Sequence, residues 1–453
     1  MSKKIIQRSQ NKSAAGSKNL LGFWSLLSIS LGQVVGAGVV VLTGIGISIT
    51  GYGVPWAFVL ALGIIFLPTL CIAALGAAIP STGGMYTYVR DLLGNKTGFF
   101  YLMLLVAGQV MLATYALGFA EYAAELLPGI NTQMLAVTVM VVCFGANLLG
   151  LQTAARMQLF IVVLLITSLL AFVVYGLLRV DSLEPYTDIK KVMPAGIGAF
   201  ISAAYILRLG LVGGEFVSEL GDEAKKPARN IPLVMLSCLF IATLLYIGVG
   251  IVATGVLPLN LVEGKSLAYI AKEIFPPVMY YVFVIGGVLL ALMSTLNAIF
   301  AWCTKGLYMA SKDGWFSQRL AVKNKYGVPY ILLTGFFIVG VIPIIVGTTL
   351  AYITILGNAV GIVFGIIPAL ALYHLNTKKP QAYADAVFKL PVWAMKTLPL
   401  IALAVYIYGA YLSFFGFLKL NHVITFFAYA LLVVAYAFWR ESHVVETRKR
   451  SVL

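Results

Sequence analysis

The sequence is short of charge: only 10% of its 453 residues are Asp, Glu, Lys or Arg, against 61% hydrophobic. Soluble domains carry about 25% charged residues, so an ordinary water-facing surface is excluded and a helical polytopic membrane protein is the class that fits. Histidine is scarce as well. His374, His422 and His443 all fall near the ends of apolar runs, which argues against a histidine proton relay. The four cysteines, Cys71, Cys143, Cys238 and Cys303, lie inside apolar runs and share neither a CxxC spacing nor a neighbouring histidine. A disulfide framework and a zinc site are therefore not expected. With no nucleophile–base pair or metal-ligand cluster to assemble, an enzyme is the least supported class.

What the chain has in abundance is apolar runs of about 20 residues, the length that crosses a bilayer as a helix. Twelve occur, at roughly 22–46, 54–79, 98–120, 132–151, 157–178, 196–220, 231–256, 278–304, 329–348, 351–374, 397–418 and 421–439. A β-barrel's weak alternation is not the pattern. An even count puts both termini on one side. With that side cytoplasmic, 24 of the 31 basic residues face inward and 6 outward, leaving Arg208 within a span. This is the asymmetry of the positive-inside rule. The net charge of +15 thus reports topology; membrane lipid is an expected partner and nucleic acid is not. The polar tail 1–19 has no evident cleavage site and is expected to be a disordered cytoplasmic segment, and 440–453 is expected to be a cytoplasmic tail.

Two runs are interrupted. The first carries Gly36-Ala37-Gly38, and the sixth carries Arg208, Gly210, Gly213, Gly214 and Glu215 before a polar turn at 222–229. Glycine in a membrane helix often serves close packing. It also permits unwinding, which frees amides and carbonyls that must then line a cavity. Such a break can hold an anion and a cation a few ångströms apart. Arg208 is expected at the C-terminal end of one half-helix and Glu215 at the N-terminal end of the next, where helix dipoles favour each charge. The bland alternative is that they neutralise each other as an ion pair. Interrupted segments five spans apart point to an inverted-repeat secondary transporter, with repeats at 20–180 (spans 1–5) and 196–374 (spans 6–10) and two further helices within 397–439. Gln109 is the strongly polar residue near the middle of span 3, open to a substrate or to a neighbouring helix.

Four motifs in family order resemble the amino acid–polyamine–organocation transporters: GAGVVVLTG in span 1, PSTGGMYTYVRDLLGNKTGFF at the span 2–3 junction, DEAKKPARNIP after span 6, and STLNAIFAWCTKGLYMASKDGWFSQRLAVKNKYGVP from span 8. The resemblance runs from about residue 20 to 439. It implies a leucine-transporter-like fold carrying small amino acids or amines by alternating access at the plasma membrane. By position it implies that Gly36, Ala37 and Gly38 form the first break, with the amides of Ala37 and Gly38 for a substrate carboxylate. Val34, Leu209 and Val212 would supply carbonyls for its amino group, and Gln109 and Glu215 polar contacts. Arg208 departs from the family pattern, and would recognise a second carboxylate or supply a fixed positive charge. The lysine that many sodium-independent members keep in span 5 is Leu165 here, and the span has no basic residue from Met157 to Gly176. That leaves open a sodium site from the carbonyls of Gly32, Val35 and Ala291 and the hydroxyls of Ser294 and Thr295, with sodium or a proton as coupling ion, or obligate exchange without either. The expected cargo is a small neutral amino acid. An amine or polyamine antiporter, an acidic amino acid transporter, and a channel or transport-like sensor are the alternatives. The oligomeric state is not encoded in any motif.

Overall fold

The computed structural model describes residues 20–36, 38–127, 129–348, 350–416 and 420–452. Each of the twelve apolar runs carries helix. Among the described residues nine helices are long and apolar enough to cross a membrane, and three more, Phe23–Val34, Thr132–Leu148 and Tyr330–Val346, are apolar but shorter. For the first of these the cause is local. Phe23–Val34 stops at the first break, while the chain beyond it continues into run two as one helical stretch, Gly38–Ala78. The only β pairing among the described residues is two isolated bridges, Leu21 with Ala224 and Thr82 with Leu220. The protein is an all-helical integral membrane protein.

The centre is built on a small group of packed helices. Pro227–Gly255 packs along Val54–Ala78, and Phe23–Val34 packs against both Pro227–Gly255 and Leu151–Leu177. Leu290–Trp302 completes the group by packing on Leu151–Leu177. Leu151–Leu177 shows how the sequence sorts its faces. Phe160, Val163 and Leu170 are exposed, while Gln158, Leu165 and Leu169 are buried, so apolar residues cover both faces and Gln158 is turned to the protein. The four cysteines are all free and buried, as their positions in the runs required.

On the face that carries the 222–229 turn, charged side chains tie separate elements together. Arg90 pairs with Asp91 and Asp313, each at 2.8 Å, and Lys379 reaches Asp91 at 2.6 Å. Tyr86 donates to Asp313 at 2.7 Å. Burial alone would raise the Asp91 carboxyl, but Arg90 and Lys379 outweigh it and hold Asp91 below the usual carboxylate range. Leu21 joins the same face through backbone bonds with Glu223 and Lys225.

Candidate functional site

The first break begins where the Phe23–Val34 helix ends. Val35 has φ −82° and ψ 80°, and the Gly36 amide donates to the Val34 carbonyl at 3.0 Å, an inverse γ-turn. Ala37 lies outside the described residues. The chain resumes as a π-helical turn, Gly38–Leu42, then the helix Thr43–Thr50.

The second break is sharper. The helix Gly196–Leu207 gives way to a 3₁₀ turn, Arg208–Leu211; Val212 is extended, and Gly213 takes φ +123°, a conformation open to glycine. The chain then enters another 3₁₀ segment, Gly214–Glu219, in place of the α-helical half expected from sequence. A short 3₁₀ turn carries little dipole, so Glu215 is stabilised instead by a specific bond, the Gly213 amide donating to its Oε2 at 2.9 Å. Ser30 fixes this segment to span 1 by donating to the Gly214 carbonyl at 3.0 Å.

The two breaks touch. A Cβ on Gly38 would lie 2.4 Å from the Gly210 Cα, so the backbones cross at a distance that excludes any side chain there. Tyr246, wholly buried on Pro227–Gly255, reaches the crossing with its hydroxyl 2.9 Å from the Val34 carbonyl and 3.1 Å from that of Gly210. One phenol thus serves both carbonyls freed by unwinding.

Beside the crossing lies a cavity of about 110 Å³. Its wall includes Gln109, Arg208, Leu209, Val212 and Glu215, five of the nine positions expected to meet a substrate. Val34, Gly36 and Gly38 are not on that wall; Val34 and Gly38 are engaged in the crossing itself. Gln109 caps Asn95–Gly108, its side-chain nitrogen bonding back to the Leu105 carbonyl at 2.9 Å. Arg208 and Glu215 are both buried, and no ion pair joins them among the described residues. Arg208 Nη1 lies 3.3 Å from the Tyr406 hydroxyl, with the guanidinium carbon 5.1 Å from that ring's centre.

Sequence reasoning did not anticipate Tyr406, which sits on Val392–Gly416, outside the expected repeats. Nor did it anticipate the cavity's floor. Phe216 and Trp302 stack face to face at 3.9 Å with 1° between planes, and Trp302 Nε1 donates to Gln33 Oε1 at 3.1 Å. A second, larger cavity of about 530 Å³ is lined by Glu223, Phe300, Lys305, Lys323 and Lys325 among others.

The residues considered for sodium do converge, and three of their five oxygens, the Gly32 and Ala291 carbonyls and the Ser294 hydroxyl, already hold donors. Thr295 Oγ1 lies 3.0 Å from the Gly32 carbonyl and 3.2 Å from that of Ala291. Gln158 Nε2 donates to Ser294 Oγ at 2.8 Å and lies 3.2 Å from the Ser294 carbonyl. Val35 is buried, its amide bonded to the Leu31 carbonyl. Gln158 is itself held by Asn297, whose Nδ2 donates to Gln158 Oε1 at 2.7 Å. The Gln158 N–H pointed at Ser294 Oγ does there what a cation would otherwise do.

A helical membrane protein with two interrupted helices crossing beside a cavity lined by opposite charges belongs to the class of membrane carriers. Comparison gives the family: residues 21–438 match the amino acid permease family, and the chain belongs to it. It is 25% identical over 429 residues to the methylthioribose transporter of Bacillus subtilis, covering 89% of this chain and 90% of that protein. It is 26% identical over 350 residues to the branched-chain amino acid permease BcaP of the same organism, covering 71% and 74%. With the gamma-aminobutyric acid permease of Escherichia coli the identity is 21% over 321 residues, covering 67% and 68%. The chain is a transporter, not an enzyme.

Proposed function

We infer that the protein carries a small neutral amino acid across the plasma membrane by alternating access. The observation that carries this reading is the pair Arg208 and Glu215, buried on the wall of one cavity, opposite in charge and not bonded to each other. A zwitterion satisfies both: its carboxylate on the Arg208 guanidinium, its ammonium on Glu215, with the Leu209 and Val212 backbone beside it. A neutral side chain adds no further charge. In this reading the twelve runs are twelve spans, 20–180 and 196–374 are inverted repeats, and the termini and the Lys305 face are cytoplasmic. The Phe216–Trp302 stack is then the closed inner gate.

An acidic amino acid is the second reading, supported by Arg208 having no carboxylate partner among the described residues. Sodium independence belongs to the first, supported by Gln158 and the Thr295 hydroxyl donating to the Ser294 hydroxyl and the Gly32 carbonyl, two of the oxygens a sodium ion would use. Both points are tested by uptake into proteoliposomes of radiolabelled L-alanine, L-leucine, L-glutamate and putrescine, with and without a sodium gradient. Alanine or leucine should enter fastest and change less than twofold with sodium. Transport of glutamate or putrescine in preference would overturn the substrate assignment, and a tenfold sodium stimulation would overturn the coupling.

A further inference from the structure

The larger cavity, about 530 Å³, shares no wall residue with the substrate cavity, and its lining is basic. Lys305, Lys323 and Lys325 line it against a single acid, Glu223. That acid is already engaged: the buried Lys305 places its Nζ 2.5 Å from Glu223 Oε1. No carboxylate pairs with Lys323 or Lys325 among the described residues. Lys323 Nζ stands instead 4.5 Å from the centre of the Tyr308 ring, as Lys312 Nζ also does, and Lys325 Nζ stands 5.1 Å from that of Tyr326. Two ammonium groups that share one ring repel each other, and a nearby anion relieves the repulsion.

The fold holds these lysines in place. Asn324, between them in sequence, donates from Nδ2 to the Leu148 carbonyl at 2.9 Å, and its Oδ1 accepts the amides of Tyr326 at 2.9 Å and Val328 at 3.1 Å. The turn is thereby pinned to the end of Thr132–Leu148, where the next helix begins. Gly150, Leu151 and Gln152, at the start of Leu151–Leu177, belong to the same cavity wall. That helix of 27 residues has no side-chain cap and no acidic residue in its first turn. Its first amides and the positive end of its dipole are therefore left for a ligand. Thr304 is a further donor on the wall: it is only 3% exposed, and its hydroxyl has no hydrogen-bond partner among the described residues. A buried hydroxyl with nothing to bond calls for a reason.

We propose that the larger cavity is a binding site for a phosphate group, separate from the substrate cavity. Lys323 and Lys325 supply the counter-charge, while the Thr304 hydroxyl and the amides at the start of Leu151–Leu177 donate to phosphate oxygens. Lys305 is shared between the ligand and Glu223. Donors spread over a helix start, a second helix and a pinned turn suit a group with three or more acceptor oxygens better than a carboxylate with two. A soluble phosphate compound and the headgroup of an anionic phospholipid both offer that chemistry. The competing explanation is that these lysines only obey the positive-inside rule. That rule spreads charge over a face, and it does not account for the open hydroxyl and the uncapped helix start on the same wall.

The inference stands apart from the substrate assignment, and its test needs no transport. The full chain in neutral detergent is titrated with sodium phosphate and sodium pyrophosphate, with sodium chloride at matched ionic strength as reference, and the melting temperature is followed. Both phosphates should raise it saturably and chloride should not. The double variant Lys323→Gln, Lys325→Gln loses two exposed lysines that make no ion pair, so it should melt like the wild type without anion, yet need at least tenfold more pyrophosphate for the same rise. Thr304→Val keeps the side-chain shape, removes the unpartnered hydroxyl, and should weaken pyrophosphate in the same direction. Lys378→Gln, an exposed lysine off the cavity wall, should titrate as the wild type does. A rise that persists unchanged in the double variant and in Thr304→Val is the general stabilisation given by excluded salts, and would overturn the site. Absence of any rise in the wild type, both in detergent and in phosphatidylcholine nanodiscs, would overturn it too. Nanodiscs also separate the two sources. A pyrophosphate effect present in phosphatidylcholine and lost in phosphatidylglycerol assigns the cavity to a lipid headgroup, and an equal effect in both assigns it to a soluble phosphate.

Discussion

Arg208→Ala should reduce alanine uptake by about 10- to 150-fold. The figure comes from losing a hydrogen bond to a charged group, about 1.5–3 kcal/mol, at about 1.4 kcal/mol per tenfold. It depends on Arg208 meeting the substrate and nothing else of opposite charge. Among the described residues the guanidinium's polar contact is the long one to Tyr406, so the substitution removes little bonding that could unfold the protein instead. Tyr406→Phe is the matched control. It keeps the ring under the guanidinium and removes only the hydroxyl, and should cost a few-fold at most. Glu215→Gln should lower uptake comparably, since it removes the ammonium's counter-charge while leaving an acceptor for the Gly213 amide. Initial rates across an alanine concentration series check all three, and wild-type rates in Glu215→Gln would relegate that residue to structure.

Gly38→Ala should be as damaging for a different reason. The added Cβ would meet the Gly210 Cα at 2.4 Å, where carbon contacts lie at about 3.5–4.0 Å. The obstacle is backbone on both sides, so no side chain can swing away. Relief requires the two breaks to separate, which would pull the Val34 and Gly210 carbonyls off the shared Tyr246 hydroxyl. Overpacking of this kind costs about 1–3 kcal/mol or more, and here it falls on the site. Uptake per folded molecule should drop at least tenfold, with a lowered melting temperature in detergent. Gly63→Ala, in Val54–Ala78, has nothing within 4 Å of the new Cβ and should be silent in both measurements.

The parts of the site legible in the sequence were those that break a pattern. Glycines and opposite charges inside apolar runs stand out against an otherwise uniform background, and they marked both breaks, with Arg208 and Glu215 on opposite sides of the second. The parts that were not legible conform to the pattern. Tyr246, Tyr406, Phe216 and Trp302 are aromatic residues in apolar runs, and nothing in their spacing says which way each faces. That depends on the rotation and tilt of packed helices, which hydropathy does not encode. Gln158 is a related case. One amide near the end of an apolar run reads as a helix contact, and its place among the Gly32, Ser294 and Thr295 oxygens emerges only when spans 1, 5 and 8 are packed together. The conformation of 214–219 was missed because local glycine and i+3 bonding override the helical periodicity of the surrounding run.

The central claim is that the cavity holds a zwitterion by both of its charges. The measurement that tests it most directly is thermal stabilisation of the purified protein by L-alanine, ethylamine and propionate at equal concentration, which presents both charges, the ammonium alone and the carboxylate alone. A ligand that binds only the folded state raises the melting temperature by an amount set by its concentration relative to its dissociation constant. The account predicts a clear rise with alanine and none with either analogue, and loss of the alanine effect in Arg208→Ala. Stabilisation by ethylamine or by propionate equal to that by alanine would contradict it.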